Sequence, residues 1–162
     1  IIAPDSVPPA PPKIRGFLIV AAIGLIISLI KNLEALAWAI LPFRGETWEI
    51  LTTPGFEAYD PNWKPALLFG VISASVTLLL SVIGLVLFFR KHRFFPTFII
   101  VVIPLNFLLV LAGYYLESLV SAIAESELHT KGKHQLIIRF IALHIWIPYF
   151  VVSDRVKRTF VR

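Results

Sequence analysis

The chain of 162 residues contains no cysteine. That excludes disulfides, cysteine-ligated zinc, iron–sulfur clusters and thiol catalysis. It contains no methionine either, not even at position 1, so the numbering is expected to begin after a translation start. Charge is scarce: Asp, Glu, Lys and Arg make up 15% of the residues, against roughly 25% in an ordinary soluble domain. The eight glycines build no phosphate-cradling loop, and there is no His-Glu-x-x-His pattern. What remains is apolar, with 57% hydrophobic residues and a mean hydropathy of +0.83. A soluble chain of this length cannot hide that much apolar surface. The balance excludes a disordered chain, a nucleic-acid binder and a disulfide-stapled secreted domain, and points to an integral membrane protein.

Residues 1–16 carry Pro4, Pro8, Pro9, Pro11 and Pro12. Such a stretch favours extended polyproline II and reads as a linker or tail. It is not a signal peptide, because no basic segment precedes an apolar core there. A transmembrane domain is expected over 17–152, with spans at about 17–41, 65–89, 95–119 and 135–152. Pro42 closes the first, Pro65 suits the first turn of the second, and Pro104 and Pro148 interrupt the third and fourth. Ser73, Ser75, Thr77 and Ser81 punctuate the second span and can bond across a helix interface or back to their own helix. Between the first two spans lies the longest loop, with Trp48, Phe56, Tyr59 and Trp63 suited to the headgroup level and a short helix expected near Thr47 to Leu51. A second loop is expected at 121–134, and a basic tail at 153–162.

Four spans place both termini on one side. Nine Lys and Arg residues fall on that side (Lys13, Arg15, Arg90, Lys91, Arg93, Arg155, Lys157, Arg158 and Arg162), against four on the other. By the positive-inside rule the first side is cytoplasmic. Arg90, Lys91, Arg93, Arg155, Lys157 and Arg158 then form a basic collar. Its plain reading is topology and contact with anionic lipid; docking of an acidic partner is the alternative. No internal repeat of the inverted-transporter kind is visible.

The C-terminal run reads Trp146-Ile147-Pro148-Tyr149-Phe150, then Ser153-Asp154-Arg155-Val156-Lys157 and Thr159-Phe160-Val161. With Lys13-Ile14-Arg15-Gly16-Phe17-Leu18 at the start, it resembles the YdgK-like family of small bacterial inner-membrane proteins, a domain of unknown function. Phe17 stands where a Trp is commoner in that family. The resemblance implies four spans in a bacterial inner membrane and brings no assigned activity or catalytic residue.

Ionisable groups within a span are functional candidates by default. Lys31 and Glu34 are three residues apart, share a helix face and can pair directly. In the third span Gly113 and Glu117 each fall within about 20° of Asn106, and the three form a polar stripe. In the fourth, Gln135 and Arg139 share a face, and His144 lies away from it. At 1.5 Å per residue, Lys31 sits about 3 Å outward of its span centre, Glu34 and Arg139 about 7 Å, and Glu117 further out still. The candidate intramembrane polar site is therefore Lys31, Glu34, Asn106, Glu117, Arg139 and His144. One reading is an ion-pair network that fixes helix partners, with Lys31 and Arg139 balanced by Glu34 and Glu117. The other is a polar cavity, open to the outside, that holds a small charged molecule or a lipid headgroup.

His144 lacks a second histidine at its depth, which argues against haem. Glu125, Glu127, His129 and His134 match no specific metal site. No nucleophile constellation appears. The expectation is an all-α, four-helix integral membrane bundle in a bacterial cytoplasmic membrane, both termini cytoplasmic, not an enzyme and without cofactor. It is expected to bind or help move a lipid or small solute. The alternative is a non-catalytic accessory or scaffold subunit. Expected partners are membrane lipids or another membrane protein, and no nucleic acid.

Overall fold

A computed structural model describes residues 16–124 and 126–160, with the side chains of 127–129 excepted. The proline-rich segment with Lys13 and Arg15, and also Glu125 and Arg162, lie outside the described residues, as do the side chains of Glu127 and His129. Among the described residues seven α-helices follow in order: α1 (Phe17–Ile40), α2 (Thr47–Thr52), α3 (Trp63–Phe89), α4 (Phe95–Ser118), α5 (Ser121–Ala124), α6 (Glu127–Val152) and α7 (Asp154–Thr159). A single 3-10 turn at Leu41–Phe43 follows α1. Among the described residues there is no strand.

Helices α1, α3, α4 and α6 are long and apolar enough to cross a membrane. Their sequences force this. Their apolar spans of 23 to 27 residues exceed the roughly 18 that a bilayer needs, and a helix satisfies its own backbone in lipid. Large apolar side chains such as Ile30, Ile72, Val101 and Ile137 point outward and are exposed, as a lipid-facing surface requires. α4 runs through Pro104 and α6 through Pro148 without a break.

α1 packs along α3, α3 against α4, and α4 against α6. Gly132 lets α6 approach α4: a Cβ there would lie 2.8 Å from Cδ2 of Tyr114. α1 and α6 do not pack along each other to a comparable extent. They meet at one end, where the Phe17 ring lies 5.3 Å from Trp146 and 4.7 Å from Tyr149. That end also holds the start of α1 and the end of α6, and is called the terminal end below; the other is the loop end.

The core sits at the terminal end. Leu18, Ala21, Phe88, Phe95, Ile99, Phe150, Val156 and Phe160 form one buried cluster. Phe95 stacks on Phe160 at 4.7 Å and meets Phe88 edge-on at 5.1 Å. The segment expected to be a basic tail is here largely the helix α7. Ser153 Oγ accepts from the backbone N–H of Val156, Asp154 stands in the first turn, and Lys157 and Arg158 in the last, all favourable to the helix dipole. Val156 and Phe160, four residues apart, turn inward onto the rings of α3 and α4.

The loop end is held by polar contacts. Asp60 Oδ1 accepts from the Asn62 N–H at 2.9 Å, and its Oδ2 accepts from both the N–H and the hydroxyl of Ser121 at 3.2 Å. Asn62 Nδ2 donates to the Leu119 carbonyl at 2.9 Å. The first loop is thereby fastened to the chain leaving α4. The backbone N–H of Asn62, then that of Ser121, hold the Asp60 carboxyl below its ordinary pKa. The short helix expected near Thr47 is α2, and Phe43 stacks on Trp48 at 4.7 Å beside it. The second loop differs from expectation. It is mostly helical, because α6 begins at Glu127, about two turns before Gln135. The added residues are polar helix formers that need no lipid, so hydropathy alone does not mark them.

Candidate intramembrane cavity

Two cavities lie inside the bundle, one above the other. The larger, about 670 Å³, sits in the loop half between α1, α3, α4 and α6. That volume is in the ordinary range for small-molecule sites. The smaller, about 270 Å³, lies toward the terminal end. Thr77, Asn106 and Arg139 border both.

The larger cavity gathers most of the polar residues that the sequence singles out. Lys31, Glu34, Asn106, Gly113, Glu117, Gln135 and Arg139 all line it. Their grouping follows from helix spacing on α4 and α6 and from the packing order of the helices. Lys31 Nζ and Glu34 Oε2 pair at 2.8 Å, with side chains 69% and 51% exposed. Arg139 Nη1 donates to Asn106 Oδ1. Its Nε is enclosed and has no hydrogen-bond partner. Among the described residues no carboxylate forms a salt bridge with Arg139, so the pairing of Arg139 with Glu117 is not the arrangement found. Glu117 is exposed.

Arg139 lies at the midpoint of α6, and its partner Asn106 at the midpoint of α4.

His144 lines neither cavity. Its ring is exposed, lies 4.3 Å from that of Phe140, and its Nδ1 is 2.9 Å from the Phe140 carbonyl. It belongs to the outer face of α6. Arg90, Lys91 and Arg93 occupy the turn between α3 and α4, and Arg155, Lys157 and Arg158 lie on or at α7. Both groups are at the terminal end, away from the cavity. Arg93 sits over the Phe94 ring at 5.1 Å. The Arg155 guanidinium packs against Gly16, which has a positive φ of 62°. Among the described residues no three His, Asp or Glu side chains gather as a metal site would need.

Three polar residues outside the expected set matter to the architecture. Asn32 is buried; its Nδ2 donates to Ser81 Oγ at 2.6 Å and more weakly to the Thr77 carbonyl at 3.4 Å. It links α1 to α3 at the level where the two cavities meet. Asn62 and Asp60 form the loop-end staple. The hydroxyls of Ser73, Ser75, Thr77 and Ser81 bond back to carbonyls of α3, so that helix satisfies its own polar groups. An Asn inside an apolar run is the sequence signal for Asn32, masked there by the charged Lys31 beside it.

The structure is that of a multi-pass membrane protein, a bundle of four spanning helices closed at one end and hollow at the other. By sequence the chain belongs to the family described as "Protein of unknown function (DUF2569)", whose model matches residues 11–161. No curated protein and no solved structure matches the chain.

Proposed function

We propose that this is a non-enzymatic protein of a bacterial inner membrane that binds, or helps move, a lipid or small solute through the cavity of its loop half. Both termini face the cytoplasm in this reading, by the nine-to-four excess of Lys and Arg at the terminal end. The kinship with the YdgK-like family read from the two ends of the chain belongs to the same proposal. The observation that carries it is the cavity of about 670 Å³, lined by Lys31, Glu34, Glu117 and Arg139 within four apolar helices. Charged side chains in such helices are costly unless they face water, a ligand or each other.

A second reading rests on the exposure of the Lys31–Glu34 pair. A partner helix of another membrane protein, covering that pair, would make the chain an accessory subunit. Extraction into native-lipid nanodiscs, followed by intact mass measurement, separates the two. A stoichiometric small molecule or lipid, present with the natural chain and lost from Arg139→Gln, supports the binding reading. A second protein in fixed ratio supports the subunit reading. A bare chain, or a bound molecule indifferent to Arg139→Gln, overturns the first.

A further inference from the structure

Arg139 stands at the joint of the two cavities, and its charge is not balanced there. Of the four charged side chains on the larger cavity, Lys31 and Glu34 neutralise each other. Glu117 lies on α4 eleven residues beyond Asn106, about 16 Å further toward the loop end. The described partner of Arg139 is the neutral Asn106, and its enclosed Nε is unpartnered. A buried donor left unmade is costly, and a guanidinium is shaped to meet carboxylate or phosphate oxygens.

The chamber below has Arg139 as its one charged lining residue. Ala21, Gly24, Ile103, Ala142 and Trp146 wall it, with the hydroxyls of Ser28, Thr77 and Ser81 on the same lining. Its volume of about 270 Å³ is on the scale of a single alkyl chain. The side between α1 and α6 is closed by rings only at the terminal end.

We infer that the two cavities are one site for a single-chain anionic amphiphile. Its carboxylate or phosphate meets Arg139 and Asn106, and its alkyl chain fills the lower chamber, entering between α1 and α6. This rests on the reading of the cavity as a binding site, and narrows it to a ligand class.

The test is equilibrium binding to the full chain in nanodiscs of zwitterionic lipid, corrected against empty nanodiscs. The probes are dodecanoate, dodecyl phosphate, dodecanol and inorganic phosphate. Both dodecyl anions are expected to bind saturably, and dodecanol and inorganic phosphate at least about tenfold more weakly, as for loss of one charged contact or of the buried chain. Preference between the two anions assigns the headgroup to the carboxylate or the phosphate class. Arg139→Gln should erase the preference for dodecanoate over dodecanol, and Arg139→Lys should restore part of it. Gly24 is on the wall of the lower chamber and a Cβ there meets nothing within 4 Å, so Gly24→Leu adds a side chain to that wall with room at its Cβ. It should weaken the dodecyl anions about tenfold or more. Equal binding of dodecanol and dodecanoate, equal binding of inorganic and dodecyl phosphate, or indifference to Gly24→Leu overturns the inference. In any of these cases a different molecule retained with the natural chain and lost from Arg139→Gln would leave the broader binding reading standing.

Discussion

The two ends of this bundle solve the same packing problem in opposite ways. At the terminal end, aromatic rings from α1, α3, α4, α6 and the Phe160 segment interlock, and Phe88, Phe95, Leu18 and Val156 are fully enclosed. At the loop end, the same helices are held by a few hydrogen bonds and stand around a cavity. Lipid gives helices no hydrophobic reason to associate, so van der Waals packing and polar contacts must do it. Dense ring packing makes a closed end, and sparse polar fastening leaves space between helices. The lesson is that the α7 turn and the basic collar belong to the rigid half, while the intramembrane charges belong to the hollow one.

Four substitutions sharpen this contrast, taken from the largest expected effect to the smallest. Phe95→Ala should cost about 3–5 kcal/mol in a reversible detergent-unfolding titration, because its ring is wholly enclosed. It should leave the loop-end contacts in place. Gly132→Val drives a side chain into the Tyr114 ring and should cost about 1–3 kcal/mol as overpacking, with the change in amide exchange concentrated in the loop halves of α4 and α6. Asn32→Val removes the bond to Ser81 and should cost about 1 kcal/mol, the modest value of interhelical hydrogen bonds in membranes. Ser81 keeps its own bond to the Thr77 carbonyl, so no donor is orphaned. A loss as large as that of Phe95→Ala would break the contrast between the ends.

Asp60→Asn should have the smallest effect, and one that depends on pH. The Asp60 carboxyl has a lowered pKa in the folded chain, caused first by the Asn62 N–H and then by that of Ser121. Its contribution is therefore full above the ordinary Asp pKa and is lost as pH falls through the lower folded value. Protection of the Ser121 amide, corrected for the intrinsic pH dependence of exchange, should fall in acid in the natural chain. In Asp60→Asn that acid-induced loosening should vanish, and an unchanged pH profile would remove Asp60 from the staple.

Much of this architecture is legible in the sequence because hydropathy and helical spacing are local properties. Long apolar runs mark the four spans, and the spacing of Asn106, Gly113 and Glu117 puts them on one wall of the cavity. What depends on neighbours is not legible. The inward docking of Val156 and Phe160 needs the rings of α3 and α4 to be known. The polar start of α6 carries no apolar signal. His144 lies on the outer face because the rotation of α6 is set by its contacts with α4, which a lone histidine does not reveal.

The absence of cysteine allows the central claim, a closed terminal end and a hollow loop end, to be tested with single thiols. Ala35 and Leu18 both lie on α1, the first on the wall of the large cavity and the second fully enclosed in the terminal core. They are seventeen residues apart, about 26 Å along the helix. Ala35→Cys and Leu18→Cys should be compared in nanodiscs with a charged, membrane-impermeant thiol reagent. The account predicts rapid labelling at position 35 and protection at position 18. Protection at 35, or equal labelling at 35 and 18, would contradict it.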